Sequence, residues 1–206
     1  MKPQSTADKQ ANKQKSQKPS RAEAEEAVRT LISWAGDDPD RQEVLKTPSR
    51  VVKSFEDPFA GYDQDPGTVF GSEMEKAKGY SDMVILKDIT IHSYCQHHML
   101  PILGKAHIAY WPDGELPGLS KFVRLANIFA KRMTSQETMT HNIRNAIDDH
   151  LKTLGAAVVV DAKHLCMTTR GITSPDVFTT TASYSGVFDK DETIRQRFLK
   201  SLSERT

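Results

Sequence analysis

Cysteine is scarce in this chain: 206 residues hold two, Cys95 and Cys166. They lie far apart in sequence, and in a reducing compartment a lone structural disulfide is not expected. Long apolar runs are missing as well. None approaches the roughly 20 residues that a bilayer-spanning helix needs. The N-terminal stretch lacks the apolar core of a secretory signal, so the expected compartment is the cytoplasm. Neither sign of charge is in excess. Lys+Arg is 28 and Asp+Glu is 27, a formal net charge of +1. A near-neutral chain exerts no bulk pull on nucleic acid or membrane. Neither is expected as a partner, and any anion site must be a local cluster.

What remains is an ordinary globular composition, 37% apolar and 27% charged, of a length that suits one domain and a tail. Residues 1–19 are Lys, Gln, Ser and Pro with almost nothing apolar. Such a segment cannot offset its ordering entropy and is expected to be a disordered tail. Residues 20–82 read as an N-terminal helical region. Ser20 and Glu23 have capping-box spacing. Val28, Leu31, Ile32 and Ala35 form one helical stripe, and Gly36 ends it. Thr47-Pro48 predicts a second helix with Thr47 as cap, buried through Val51, Val52 and Phe55. Residues 56–82, rich in Gly, Pro and Asp, read as loop.

Residues 83–206 change period. Val84, Leu86, Ile89 and Ile91 mark a strand whose phase shifts near Lys87-Asp88, and 104–111 read as its partner, followed by a turn at Pro112-Asp113-Gly114. Two amphipathic helices follow, one through Phe122, Leu125, Ile128 and Phe129, the other through Met139, Ile143, Ala146, Ile147 and Leu151. Gly155 is expected at the C-terminus of the second. Residues 157–162 and 177–188 read as strands, and Ile194, Phe198, Leu199 and Leu202 as a closing helix. Helices, two strands, two helices, two strands and a helix make an α+β class with an antiparallel sheet.

The chemistry concentrates in Cys95-Gln96-His97-His98 and His164-Leu165-Cys166. Thiolate and imidazole are zinc ligands. Read as a strand, the second segment turns His164 and Cys166 to one face. The residue types leave three readings open: a closed Cys2His2 structural zinc site, a Cys2His zinc site whose fourth position holds water, or histidines that are ordinary polar residues. Ser120, Lys121 and Arg124 open a helix, where free N–H groups and two cations favour an anion, and Arg170 follows Cys166 closely. Gln136-Glu137 opens the next helix, where a carboxylate either complements the dipole or accepts from a guanine edge.

Four stretches, CQHHMLPILGKAHIAYWP, GLSKFVRL, SQETMT and KHLCMTTRG, together with the earlier GDDPDRQEVLKTPSRV, resemble the GTP cyclohydrolase I family from about Ser20 to the C-terminus. The resemblance implies the tunnelling fold, assembled as a homodecamer with active sites between subunits. It implies GTP as substrate and Zn2+ as cofactor, held by Cys95, His98 and Cys166, with His97 and His164 catalytic. Ser120, Lys121, Arg124 and Arg170 would hold the triphosphate, and Gln136 and Glu137 the guanine. Arg50 and Lys53 would reach the phosphates of a neighbouring subunit's site. The implied reaction is hydrolysis of the guanine imidazole ring, formate release and rearrangement to 7,8-dihydroneopterin triphosphate. Where the family usually has Glu, this chain has Gln96, a side chain of the same shape without the charge. A related purine or pterin enzyme of the same fold, or a non-catalytic zinc-stabilised module, are the rival readings.

Overall fold

The computed structural model describes residues 18–71, 74–171 and 173–204. Most of the expected tail therefore lies outside the described residues. The chain divides into two compact units between Glu56 and Asp57, earlier than the sequence boundary at residue 82. Among the described residues no helix is long and apolar enough to cross a membrane.

The first unit holds two helices, α1 (Arg21–Trp34) and α2 (Thr47–Ser54). Ser20 caps α1 with the expected reciprocal pair. Its Oγ accepts from the Glu23 N–H at 3.2 Å, and the Glu23 carboxylate accepts from the Ser20 N–H at 2.8 Å. Gly36, at φ +95°, follows the last turn as expected. Thr47 departs from its expected role. It is the first residue of α2, and Lys46 occupies the cap without a capping bond from its side chain. Nor do the predicted faces close. No residue of α1 is buried, Leu31 and Trp34 stand 62% and 84% exposed, and Val51, Val52 and Phe55 are half-buried. Two short helices on each other have too little area to enclose both stripes.

In the second unit the stretch expected as loop carries two 3-10 turns, Ala60–Asp63 and Pro66–Thr68, and β1 (Met74–Lys76), which pairs antiparallel with β4 (Glu115–Pro117). The main sheet is built from β2 (Val84–Cys95), β3 (Pro101–Pro112), β5 (Met133–Thr134), β6 (Thr153–His164) and β7 (Thr179–Tyr184), in the order β5-β2-β3-β6-β7. All pairings are antiparallel except the short β5–β2 contact. The phase shift near Lys87-Asp88 is a register break between Leu86 and Ile89. Asp88 sits there at φ +60°, its N–H donating to Nδ1 of His107 at 3.2 Å.

Helices α3 (Ser120–Ala130) and α4 (Gln136–His150) cover one face of this sheet. Phe122, Leu125, Met139, Ile143 and Ile147 pack there against Ile91, Ile102, Ile108, Val158 and Val160. Ala157 and Val159 point the other way, toward Phe188 and Phe198. Phe188 lies on the short α6 (Val187–Lys190) and Phe198 on α7 (Glu192–Ser203), while a four-residue α5 (Leu165–Thr168) follows β6. Alternate residues of β6 thus enter two cores, which is why its sequence is an unbroken apolar run. The α+β class is as expected.

Gly155 does not end a helix. α4 stops at His150, and Gly155 pairs with Trp111 inside the sheet. Its role is close approach, since a Cβ there would overlap Ser185 O. Tertiary pairing overrode the local C-cap signal. Gly104 is tighter still in its consequence, because a Cβ would collide with Asp161 O and Ala162 within the β3–β6 ladder. Gly104→Ala is expected to destabilise the protein by about 1–3 kcal/mol through overpacking, read as a lowered midpoint in thermal unfolding. An unchanged midpoint would show that the ladder yields at no cost.

Candidate active site

The β2–β3 hairpin, β5, the end of β6 and the start of α4 meet at one end of the main sheet. The β2–β3 hairpin closes there: Cys95 N–H donates to Leu100 O at 2.8 Å, and Met99, at φ +52°, donates to Cys95 O at 2.9 Å. That tight turn places His97 and His98 beside Cys95, with each Nδ1 at 3.7 and 3.8 Å from its Sγ. The end of β6 arrives because Ile102 pairs with His164. The start of α4 arrives because β5 lies parallel to Tyr94 and Cys95, and Gln96 N–H donates to Thr134 O at 3.2 Å. Ser135 then caps α4, accepting from the Thr138 N–H at 3.1 Å.

Cys95, His98 and Cys166 form a group that could hold a metal ion, their ligand atoms all within 4.8 Å of one another. Cys95 is buried, Cys166 half-buried and His98 exposed. Cys166 does not reach this point as a strand residue. β6 ends at His164, and Cys166 lies on α5, so a helical turn and not strand alternation delivers it. Burial, with Cys95 adding to it, pushes the Cys166 thiol up, while the Arg170 charge pulls it down. A Cys166 thiol so held protonated must give up its proton to bind a cation, so uptake of metal here releases protons.

His164 is outside that group. Its Nε2 lies 2.7 Å from Oε1 of Gln136. Burial lowers the imidazole pKa, and the nearby Glu137 carboxylate partly opposes this. The neutral ring is therefore favoured at neutral pH. Glu137 is exposed on the first turn of α4. Gln136 is buried. Its side chain is 1% exposed, and its Nε2 donates to Val160 O at 2.9 Å and to Thr179 O at 2.8 Å. Both ends of the amide are thus engaged by protein groups. The partners are remote in sequence, and no local pattern announces them.

The expected phosphate cluster is divided. Arg170 stands two residues past α5, near enough to act on Cys166. Ser120 and Lys121 are elsewhere. α3 begins just after β4, beyond the far end of β3, and Phe122 stacks on Tyr110 with centroids 4.7 Å apart. From Pro101 to Tyr110 is nine strand steps, or roughly 30 Å. Lys121 donates to Phe70 O at 2.5 Å and lines an open groove of about 790 Å³ with Glu75, Tyr80 and Tyr110. Arg124 is exposed one turn further along α3, beside Asp63, Gln64 and Asp65. Arg50 and Lys53 are exposed on α2 of the first unit.

The family model described as GTP cyclohydrolase I matches residues 24–203. The chain belongs to the GTP cyclohydrolase I family. Among its relatives, the GTP cyclohydrolase 1 of Maricaulis maris is 52% identical over 185 residues, covering 90% of each chain. Those of Brucella anthropi and Bartonella henselae are 47% and 45% identical, covering 88% and 86% of this chain and 85% and 86% of theirs. A solved structure of the archaeosine synthase QueF-Like in the apo form aligns at a TM-score of 0.44 and 15% identity, over 52% of this chain and 96% of that one. The antiparallel sheet with α3 and α4 against one face is consistent with the tunnelling fold that this family membership implies.

Proposed function

We propose that this chain is a zinc-dependent GTP cyclohydrolase of the cytoplasm. It opens the imidazole ring of GTP, releases formate and delivers 7,8-dihydroneopterin triphosphate, the first step of tetrahydrofolate and pterin biosynthesis. The observation that carries the reading is the grouping of Cys95, His98 and Cys166 beside His164 and Glu137 in a chain of this family. Two thiolates and one imidazole suit zinc, and three protein ligands are the catalytic count rather than the structural one. Bound there, zinc supplies a water ionised near neutral pH.

The chain's own residues supply the rest. His164, favoured neutral, takes a proton at the nitrogen not held by Gln136 and returns it in a later step. His97, beside Cys95 in the hairpin turn, is the second imidazole for the purine and ribose steps. Glu137 accepts from the guanine edge, and Arg170 meets the triphosphate next to the metal group. Ser120, Lys121 and Arg124 complete phosphate binding from a neighbouring subunit, as do Arg50 and Lys53. The separation along β3 supports that division, because one protomer does not bring Lys121 to its own Cys95. The assembly that belongs to this reading is a homodecamer with sites between subunits. The rival structural module needs a fourth protein ligand, and among the described residues no fourth side chain joins Cys95, His98 and Cys166 in the group.

The test is incubation of zinc-loaded protein with GTP, reading formate and pterin fluorescence after oxidation. Both are expected, and both are expected to vanish on chelation and return with zinc. Silence of the zinc-loaded protein toward GTP would overturn the assignment.

A further inference from the structure

We propose that Gln136 is a positioning residue that fixes which nitrogen of His164 does the proton work. The inference rests on His164 being the proton shuttle. The orientation of the Gln136 amide is forced from the interior outward. Its Nε2 lies 2.9 Å from Val160 O and 2.8 Å from Thr179 O, two carbonyls that can only accept. A third neighbour, Thr181 Oγ1 at 3.1 Å, points the same way. Thr140 gives its hydroxyl proton to Gln136 O at 2.7 Å. The Thr181 proton is therefore the one that bridges the 2.7 Å to Thr140 Oγ1, which leaves Thr181 only lone pairs to offer the amide. An inverted amide would set its oxygen against two carbonyl oxygens at 1% exposure.

Oε1 therefore faces His164, and Oε1 has no proton to give. The 2.7 Å contact requires the hydrogen on Nε2 of the imidazole. The neutral ring then carries its lone pair on Nδ1, and Nδ1 alone can accept a proton from substrate or water and hand it back. Because the ring is anchored through Nε2, it need not turn between these two acts. The anchor reaches across the fold: strands β6 and β7 hold the amide, α4 carries it, and the histidine stands at the end of β6.

The test is a double-mutant cycle in the zinc-loaded enzyme with Gln136→Met, His164→Ala and the pair. Gln136→Met is expected to lower kcat about 10- to 50-fold with KM for GTP within about twofold, because general acid–base catalysis as a whole is worth about 10²–10⁴-fold and its base is displaced rather than removed. In the His164→Ala background the same change is expected to alter kcat less than about twofold, since residues acting through one group are not additive. Solid-state ¹⁵N spectra of histidine-labelled protein give a second readout. The His164 signals, identified by their absence in His164→Ala, are expected to report the Nε2–H tautomer in the wild type and its loss in Gln136→Met. If Gln136→Met fails to assemble, Gln136→Asn, which keeps the amide and shortens its reach, goes through the same cycle. An equal loss in both backgrounds, a raised KM at unchanged kcat, or an unaltered tautomer overturns the inference while leaving His164 as shuttle. A fully active His164→Ala enzyme removes the shuttle reading and this inference with it.

Discussion

His164→Ala is expected to purify with near-stoichiometric zinc and to lose about 10²–10⁴-fold in turnover, the usual worth of a general acid or base. Cys166→Ala and His98→Ala are expected to lose the metal as well as the activity. The contrast follows from the geometry. Cys95, His98 and Cys166 present their ligand atoms to one point, and a site reduced from three ligands to two keeps little affinity. His164 is not part of that group. Deleting it costs no metal ligand. Metal analysis of the purified variant, together with single-turnover GTP hydrolysis, decides between the alternatives. Missing zinc and a destabilised fold in His164→Ala would mean that His164 is a fourth ligand and the centre a closed structural one.

Glu137→Gln is expected to lower kcat/KM for GTP about 10²-fold while leaving the thermal midpoint nearly unchanged. The carboxylate lies at the second position of α4, exposed and close enough to His164 to raise its pKa. A guanine offers two N–H donors along one edge, and a carboxylate accepts both. An amide of the same shape turns one acceptor into a donor that faces a donor. Such a mismatch in a desolvated site costs a few kcal/mol. If the carboxylate only complements the dipole of α4, the change costs under about 1 kcal/mol of stability and nothing in turnover. The discrimination of GTP from ATP is the sharpest readout, and unchanged selectivity would remove Glu137 from the guanine site.

How far the sequence could be read depended on whether a signal was local. The capping box at Ser20 and Glu23, the break of phase at Lys87-Asp88 and the two-sided run in β6 are short-range patterns, and each has its counterpart in the fold. The metal group was legible because two of its members are three residues apart and the only other cysteine completes it. What the sequence did not announce shares one cause, partners distant in sequence. Gly155 has the look of a helix terminus, yet a strand claims it through Trp111. Gln136 sits in a motif with Glu137, yet its amide is consumed by β6 and β7. Cys166 falls at strand spacing from His164, but the strand stops and a helical turn carries it to the same place. Within one chain Ser120 and Lys121 stand the length of β3 away from the metal group, a separation that residue order does not reveal.

The pairing of Ile102 with His164 also sets an order of events as the protein folds. Cys95 and His98 come together once the β2–β3 hairpin turns, a local step of microseconds. Cys166 comes roughly 70 residues later, and closing a loop of that length carries the larger entropic cost. It can join only after β6 has docked on β3, with α3 and α4 already threaded between them in sequence. A cation bridging the hairpin and α5 would then act as a clasp on that whole loop, withdrawing conformations from the unfolded chain much as a covalent cross-link does. Metal would load last and unfolding would have to release it first, so stripping the ion should quicken opening at this end of the sheet before it alters any other part of the molecule.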